Sequence, residues 1–219
     1  MAVDELVIRL GKLDTCSVSD ALDRLEMPGT VHGIHEVWHC PRITGRVVTV
    51  KLTKRDAEQS SPRHLGTAAI MAAGPGDIIV IEHGAPEICA GWGGILSLGA
   101  KLKGVGGVIV DGACRDVDES REHKFPVYAR SAVPTTARGR IVEEDFNIPI
   151  LVGGVAVNPG DLVIADGSGV VFVGADRAEE VISTAEKIFA TEAAMGAALR
   201  DGKPITEVMG ANYESMLVR

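Results

Sequence analysis

The chain has 219 residues, of which 46% are hydrophobic and 24% charged, a composition that predicts one globular domain over residues 1–219. Its 30 acidic and 22 basic residues give a net charge of −8, which repels phosphate backbones, so we expect no nucleic acid partner. No stretch has the length of a membrane span or the pattern of a signal peptide, and the four cysteines are widely separated; we therefore expect no membrane association, a cytoplasmic location and no disulfide.

Two helices are predicted near the amino terminus. Hydrophobic residues recur at helical spacing in the first, at Val3, Leu6, Val7, Leu10 and Leu13. In the second, Ser17 is the expected N-cap, with Asp20 in the capping-box position.

Aliphatic runs between the terminal helices predict a sheet. The predicted strands cover residues 45–52, 77–82, 105–111, 149–152, 162–165 and 170–173. Two of them follow a Pro-Gly pair, at Pro75-Gly76 and Pro159-Gly160, which favours the centre of a type II turn.

A long helix is predicted at about residues 177–200, and one of its residues does not fit its apolar stripe. The stripe is formed by Val181, Ala185, Ile188, Met195 and Leu199. Glu192 falls in the middle of this stripe. Its carboxylate either reaches solvent or a structural ion pair, or the helix packs on another subunit and brings Glu192 to that subunit's active site.

The central segment combines glycine, aliphatic residues and an Arg-Asp pair. A short helix is predicted from Ile95 to Lys103, and the glycines before it leave backbone N–H groups open to a carboxylate or phosphate. A buried strand follows, and residues 112–114 are expected to form a turn that places Arg115 and Asp116 near the same helix terminus. Arginine suits a carboxylate or enolate oxygen, and aspartate suits a divalent cation. The alternative is a surface ion pair at the end of a strand.

The spacing of these residues resembles a known signature. Gly94, twenty residues, Arg115-Asp116, two residues and Glu119 are similar to the G-x20-R-D-x2-E/D pattern of the RraA-like family, which is related to the 4-hydroxy-4-methyl-2-oxoglutarate / 4-carboxy-4-hydroxy-2-oxoadipate aldolases. Further segments resemble family landmarks, among them residues 17–22, 43–50, 74–80, 107–112, 125–130 and 158–163.

The resemblance implies a fold, a site and an assembly. The fold is a layered α/β fold with a β-sheet core flanked by helices, and the assembly is a homotrimer or homohexamer with sites at subunit interfaces. The substrate would be a 2-oxo acid, held through its pyruvate half by Gly93, Gly94, Ile95, Leu96 and Arg115. Mg²⁺ or Mn²⁺ would lie near Asp116, largely through waters, with Glu119 as a further metal or water contact. Glu192 is the candidate for an acidic residue supplied by a neighbouring subunit.

One departure from the aldolase pattern affects the predicted reaction. The aldolases carry an aspartate where this chain has Gly94. Cleavage of a tertiary alcohol needs a base for the hydroxyl proton, whereas decarboxylation of oxaloacetate does not. Both reactions give a pyruvate enolate, which a metal and Arg115 can stabilise. The sequence therefore favours a decarboxylase, and aldolase activity remains open because Glu119 could supply the base.

Two alternatives concern other parts of the chain. The cluster His32, His35, His39 and Cys40 could bind zinc but is better explained as a loop over the sheet, and His83 is expected at the surface. A function of a different class is that of a non-catalytic regulator which binds ribonuclease E, the role that gives the RraA group its name; the acidic surface could contact a basic partner segment.

Overall fold

A computed structural model describes residues 4–55, 64–84 and 88–210 of the chain. Its helices are α1 (Glu5–Leu10), α2 (Thr15–Arg24), α3 (Thr67–Ala72), α4 (Gly94–Lys103), α5 (Val117–Glu122), α6 (Ala178–Arg200) and α7 (Ile205–Val208). Its strands are β1 (Thr30–Val31), β2 (His35–Glu36), β3 (Ile43–Lys54), β4 (Ile78–His83), β5 (Gly107–Cys114), β6 (Val127–Ala132), β7 (Ile141–Phe146), β8 (Ile150–Val152), β9 (Val155–Val157), β10 (Leu162–Asp166) and β11 (Gly169–Val173). None of the helices in these ranges is long and apolar enough to cross a membrane.

The predicted α/β fold class is confirmed. Nine strands form one sheet in the order β1-β11-β10-β3-β4-β5-β6-β2, with β7 paired to β3, and β8 and β9 form a separate hairpin. Strands β3, β4, β5 and β6 are parallel, and the outer strands are antiparallel. The carboxyl ends of the four parallel strands therefore meet along one edge of the sheet, where α/β proteins place their binding sites.

Both Pro-Gly pairs form the predicted turns. Gly76 and Gly160 have φ angles of +86° and +85°, the left-handed conformation that the third position of a type II turn requires. In each turn the residue after the glycine donates its N–H back to the carbonyl three residues earlier, and its carboxylate accepts an N–H at 2.7 Å. The residue that follows the glycine is Asp77 in the first turn and Asp161 in the second.

The predicted cap of the second helix is wrong. Asp14 is the N-cap, and its Oδ1 accepts both the N–H and the hydroxyl of Ser17, each at 2.8 Å. Ser17 is therefore the third residue of α2 and points inward, with no exposed surface. In the first predicted helix, Val3 lies outside the described residues, whereas Leu10 and Leu13 are buried as expected.

Helix α6 packs on the body through only its first half. Its buried residues end at Ile188, which packs in a cluster with α1, α2 and strands β10 and β11. Beyond that point Glu192 and Leu199 are exposed. Burial, followed by the nearby carboxylates of Asp14 and Asp20, raises the pKa of Glu192. Helix α2, which begins after Asp14 and contains Asp20, thus lies near Glu192 in the same subunit. The last turns of α6 expose apolar residues.

The histidine cluster does not assemble into a metal site. Cys40 is buried and His35 lies in β2, and no group of three or more metal-ligating side chains occurs within residues 4–55, 64–84 and 88–210. All four cysteines are free thiols; Cys16 is exposed, and Cys40, Cys89 and Cys114 are buried.

Candidate active site

Strand β5 carries Arg115 and Asp116 to the carboxyl edge of the sheet. It lies between β4 and β6 and is buried over most of its length. The turn predicted at residues 112–114 is wrong, because these residues continue the strand to Cys114. An irregularity in the pairing with β6 between Val110 and Ala113 lets the strand extend past the regular register. Arg115 and Asp116 therefore follow the strand directly.

His83 explains why a glycine lies within this strand. A Cβ on Gly112 would lie 2.7 Å from the Cβ of His83, and a Cβ on Gly91 would lie 2.5 Å from the imidazole Cδ2. The surface position predicted for His83 is wrong: it is 4% exposed, and its Nε2 lies 2.9 Å from the carbonyl oxygen of Cys89. Burial lowers its pKa, so the folded protein holds a neutral imidazole beneath the loop that leads into α4.

The buried side chain of Trp92 holds the start of helix α4 in place. Its indole is 1% exposed, stacks on Phe125 at a centroid distance of 6.2 Å, and donates Nε1–H to Ser97 Oγ at 2.9 Å. The hydroxyl of Ser97 lies 3.0 Å from that of Ser120 on α5. Helices α4 and α5, which carry the two halves of the predicted site, are therefore connected through buried side chains.

Asp116 turns back toward the start of α4. Its backbone is left-handed, with φ +56°, a conformation that aspartate tolerates better than most residues. Asp116 Oδ2 accepts the N–H of Gly94 at 3.0 Å and Arg115 Nε–H at 3.2 Å. The N–H of Gly94, predicted to receive a substrate carboxylate, is therefore already bound within the protein. The first turn of the helix still leaves the N–H groups of Ile95 and Leu96 without an intrahelical acceptor.

The two glycines at the start of α4 are required by side chains that approach them. A Cβ on Gly93 would lie 2.7 Å from Asp116 Oδ2 and 3.4 Å from Arg115 Nε. A Cβ on Gly94 would overlap the carboxylate of Glu119, 2.7 Å from its Cδ. The structure thus brings Gly93, Gly94, Arg115, Asp116 and Glu119 together, and Glu119 occupies the space that a side chain at position 94 would need.

A cavity of about 280 Å³ opens beside this cluster. It is lined by His64, Leu65, Thr67, Ala90, Trp92, Gly93, Gly94, Ile95, Leu96, Arg115, Asp116, Thr136 and Ala137. All the residues predicted to hold the substrate are among them. A neighbouring cavity, also of about 280 Å³, shares five of these residues, Arg115 included, and continues to Arg138. The two form one cleft, with Arg115 between its inner and outer parts.

The acidic residues of the site fit a cation that keeps much of its water. Asp116 and Glu119 are close neighbours through the adjacent glycines 93 and 94. They do not form part of any three-residue ligand group among the described residues. Mg²⁺ is commonly held by one or two carboxylates while retaining several waters, so this donor set suits it and Mn²⁺ better than it suits zinc.

Glu192 lies outside the cleft, and the cleft contains residues that were not predicted. Glu192 does not line the cleft of its own subunit. His64, Thr136 and the anchoring role of Trp92 were not predicted from the sequence. A large aromatic residue inside Gly91-Trp92-Gly93-Gly94 was a signal for the last of these, because only packing explains such a residue between glycines. His64 and Thr136 come from distant loops and carry no local motif.

The fold and the cleft define an α/β protein with a cavity at the carboxyl ends of parallel strands. The chain belongs to the RraA-like family, because the family model described as Aldolase/RraA matches residues 15–172.

Curated relatives are about 30% identical to this chain over the segments that align. A protein of Halalkalibacterium halodurans, provisionally named 4-hydroxy-4-methyl-2-oxoglutarate aldolase, is 30% identical over 199 residues, which are 90% of each protein. The protein DlpA of Legionella pneumophila is 27% identical over 92% of this chain, but the chain spans only 33% of DlpA. It likewise spans 56% of an uncharacterized protein of Methanocaldococcus jannaschii.

Solved structures confirm the fold. An uncharacterized protein from Pseudomonas syringae pv. tomato superposes with a TM-score of 0.85 and 27% identity, over 95% of this chain and 98% of the other. RraAS2 from Streptomyces coelicolor, described as an unusual member of the RNase ES inhibitor RraA protein family, gives a TM-score of 0.77 and 26% identity, over 87% and 95% of the two chains. The names of these relatives thus point both to an aldolase, provisionally, and to a family of ribonuclease inhibitors.

Proposed function

We propose that this protein is a divalent-metal-dependent carbon–carbon lyase that acts on 2-oxo acids through a pyruvate enolate. The observation that carries the proposal is the cluster at the start of α4, where Arg115, Asp116 and Glu119 meet at two glycines beside a cavity of about 280 Å³. Oxaloacetate decarboxylation is the activity that this cluster supports best, and 4-hydroxy-4-methyl-2-oxoglutarate cleavage is the second.

The cleft offers separate places for the two ends of such a substrate. The side chain of Arg115 is 39% exposed, and its guanidinium can face the pyruvate half of the substrate. The N–H groups of Ile95 and Leu96 lie at the helix terminus, where a carboxylate is favoured. The outer part of the cleft carries Arg138. A 2-oxo acid with a second carboxylate can therefore place one charge at each end, which favours oxaloacetate over a monocarboxylic acid.

The chemistry needs a group that accepts the electrons released when the bond breaks. In oxaloacetate the C3–C4 bond breaks and C4 leaves as CO₂. The electron pair of that bond stays on the remaining fragment and forms the enolate of pyruvate, which is then protonated at C3. Arg115 stabilises the negative charge on the enolate oxygen, and Asp116 holds the guanidinium in place through its ion pair at 3.2 Å. Mg²⁺ or Mn²⁺ bound near Asp116 and Glu119 would add Lewis-acid stabilisation of that charge.

Aldol cleavage needs one further step, the removal of a proton from the substrate hydroxyl. The carboxylate of Glu119 lies against Gly94, where the aldolase pattern carries an aspartate, so it can serve as the base from a different chain position. This is why the second activity is retained in the proposal.

The test measures pyruvate release from oxaloacetate with and without added Mg²⁺. We expect turnover in the wild-type protein and its loss in Arg115→Ala and Asp116→Ala. Metal-dependent turnover that persists in both variants would contradict the assigned residues, and no turnover in the wild type on any 2-oxo acid would contradict the lyase itself. Mn²⁺ in place of Mg²⁺, with the same variants, tests the identity of the metal.

We also propose that the site lies at an interface between subunits of a homotrimer or homohexamer. An apolar face beside the cleft supports this, since Met71 is 70% exposed and Ile95 and Leu102 are each 80% exposed.

In such an assembly the carboxyl-terminal half of α6 could bring Glu192 to a neighbouring site. Light scattering tests the assembly. For Glu192→Gln we expect lower turnover with the oligomer intact; unchanged kinetics or dissociation would count against a catalytic role.

A second candidate function is a protein-binding regulator of ribonuclease E activity. The likeness to RraAS2 and the exposed apolar face of α4 favour it. The discriminating experiment adds the purified protein to a ribonuclease E assay. Inhibition by the wild type and by the Arg115→Ala variant alike would support this function, because it would not depend on the cleft.

A further inference from the structure

A second cavity lies at the edge of the sheet opposite the cleft. It has a volume of about 470 Å³ and is bounded by the first residues of β3 and β4 and by the segments that precede β5 and β6. Strand β5 separates the two sites, and its eight residues span roughly 26 Å of extended chain. This cavity therefore takes no direct part in the proposed reaction. We call it the basic cavity.

The charged residues that line the basic cavity are all basic. Its lining includes Arg42, Lys101 and Lys124 and, among the described residues, no aspartate or glutamate. In a chain with a net charge of −8, three cations without a lining carboxylate run against the overall composition. Such a local reversal is the electrostatic pattern of an anion-binding surface.

The two lysines converge on one opening. Lys101 Nζ lies 3.5 Å from the backbone carbonyl oxygen of Lys124, so the lysine of α4 reaches across to the segment that follows α5. Arg42 is held more firmly, by the carbonyl oxygen of Leu13 and by Asp166 at 3.6 Å. Lys101 and Lys124 are therefore the mobile cations of the basic cavity, and Arg42 is its fixed one.

The position of Lys124 is unusual for its residue type. Its φ angle is +52°, in the left-handed region that glycine and asparagine adopt more readily than lysine. A lysine here costs backbone stability relative to glycine and places a cation beside the cavity. Lys103 offers a contrast, because it lies in the same last turn of α4 but does not line the cavity.

The backbone of the basic cavity offers few donors. The N–H of Gly76 is bound to the carbonyl of Gly104, and that of Gly106 to the carbonyl of Asp77, both at 2.8 Å. An anion here would be bound chiefly by the side chains of Lys101 and Lys124, because the guanidinium of Arg42 is already engaged by Leu13 and Asp166. This arrangement suits several charges spread over a ligand better than one carboxylate, which is bound best by donors in fixed positions.

We infer that the basic cavity binds a small polyphosphate, the diphosphate or triphosphate group of a metabolite. Helix α4 begins at the candidate active site and carries Lys101 in its last turn, and α5 begins there after Asp116 and is followed by Lys124. A polyphosphate bound by Lys101 and Lys124 thus bridges α4 and the segment that follows α5. The binding itself goes beyond the proposed reaction and does not depend on it.

The test is isothermal titration calorimetry of the full chain with inorganic tripolyphosphate. We expect binding that weakens as salt is added, and a loss of affinity of roughly two- to fivefold for each of Lys101→Gln and Lys124→Gly, as for partly exposed charge pairs. Lys103→Gln is the matched control and should bind like the wild type. Lys124→Gly also relieves the left-handed strain, so its thermal midpoint should not fall, and weaker binding cannot then be ascribed to unfolding.

Three results would overturn the inference. The first is no binding of tripolyphosphate at millimolar concentration. The second is an equal loss of affinity in Lys103→Gln, which would reduce the effect to general surface charge. The third is an affinity that the lysine variants leave unchanged and that Arg115→Gln abolishes, since this would place the anion in the cleft.

Discussion

Adding a single methyl group at Gly94 should displace the carboxylate of Glu119. The Cβ of an alanine at this position would lie 2.7 Å from Glu119 Cδ and 3.0 Å from Glu119 Cβ. Ordinary contact begins at 3.4 Å, and Glu119 Oε2 lies nearer to the added Cβ than Cδ does. The carboxyl group must therefore move by more than about 0.7 Å, or the side chain must rotate away. Because Glu119 is exposed, rotation into solvent is open to it.

The expected effect on stability is therefore small and the effect on activity large. Overpacking in a closed core costs about 1–3 kcal/mol, but here the moving atoms are the end of an exposed side chain, and alanine favours the helix by about 1 kcal/mol over glycine. We expect Gly94→Ala to change the free energy of unfolding by less than about 1 kcal/mol. If Glu119 is the base, we expect aldol cleavage to fall by roughly 10²-fold or more, as for the loss of a general base.

A double-mutant cycle measures whether Gly94→Ala lowers activity by displacing Glu119. Wild type, Gly94→Ala, Glu119→Ala and the double variant are compared by urea denaturation and by pyruvate release from both 2-oxo acids. Gly99→Ala is the matched control, since a Cβ at this position of the same helix meets nothing within 4 Å. It should leave activity unchanged.

The refuting result is additivity. If Gly94→Ala lowers activity in the Glu119→Ala background as much as it does in the wild type, position 94 does not act through Glu119. Equal losses of decarboxylation and aldol cleavage in Glu119→Ala would contradict its assignment as the hydroxyl base.

Three further predictions concern neighbouring groups. Burial lowers the pKa of His83, so as the pH falls below the ordinary value of 6.5 the unfolded chain takes up a proton at this residue before the folded protein does. The free energy of unfolding should therefore fall with pH in this range. His83→Gln should flatten this part of the pH profile. Ser97→Ala removes the acceptor of Trp92 Nε1–H and should cost about 1–3 kcal/mol in urea denaturation; a loss below about 0.5 kcal/mol would show that another acceptor replaces it. Arg115→Lys keeps the charge but not the planar fork, so kcat/KM for oxaloacetate should fall roughly tenfold or more, and unchanged kinetics would show that charge alone suffices.

The sequence predicted the fold best where one local cause acts alone. The Pro-Gly turns at Gly76 and Gly160 have the expected left-handed glycines because few other conformations suit that pair. The cap of α2 was wrong because Asp14 and Ser17 are both good caps, and only the packed structure shows that Ser17 is buried. Strands β1, β2, β6, β7 and β9 were not predicted. Three of them, β1, β2 and β9, have only two or three residues, and β6 and β7 carry exposed residues. Strands β1, β2 and β7 also pair only with strands that are distant in the chain.

The candidate site was predictable in its motif and not in its surroundings. Gly94, Arg115, Asp116 and Glu119 have a fixed spacing, and the structure places them together. The occupied N–H of Gly94 depends on the left-handed turn at Asp116, which spacing does not reveal. His64 reaches the cleft from a loop far along the chain, and such approaches depend on tertiary packing rather than on any pattern of neighbours.

The distribution of thiols gives this protein a built-in reporter. Cys114 ends the strand that delivers Arg115, is 1% exposed, and has its pKa raised to about 11 by burial, whereas Cys16 lies at the surface. Cys16 can be blocked under native conditions without disturbing the sheet. Slow modification of the three remaining thiols then measures how often the fold opens around Cys40, Cys89 and Cys114. A ligand held in the cleft by Arg115 should slow the reaction of Cys114.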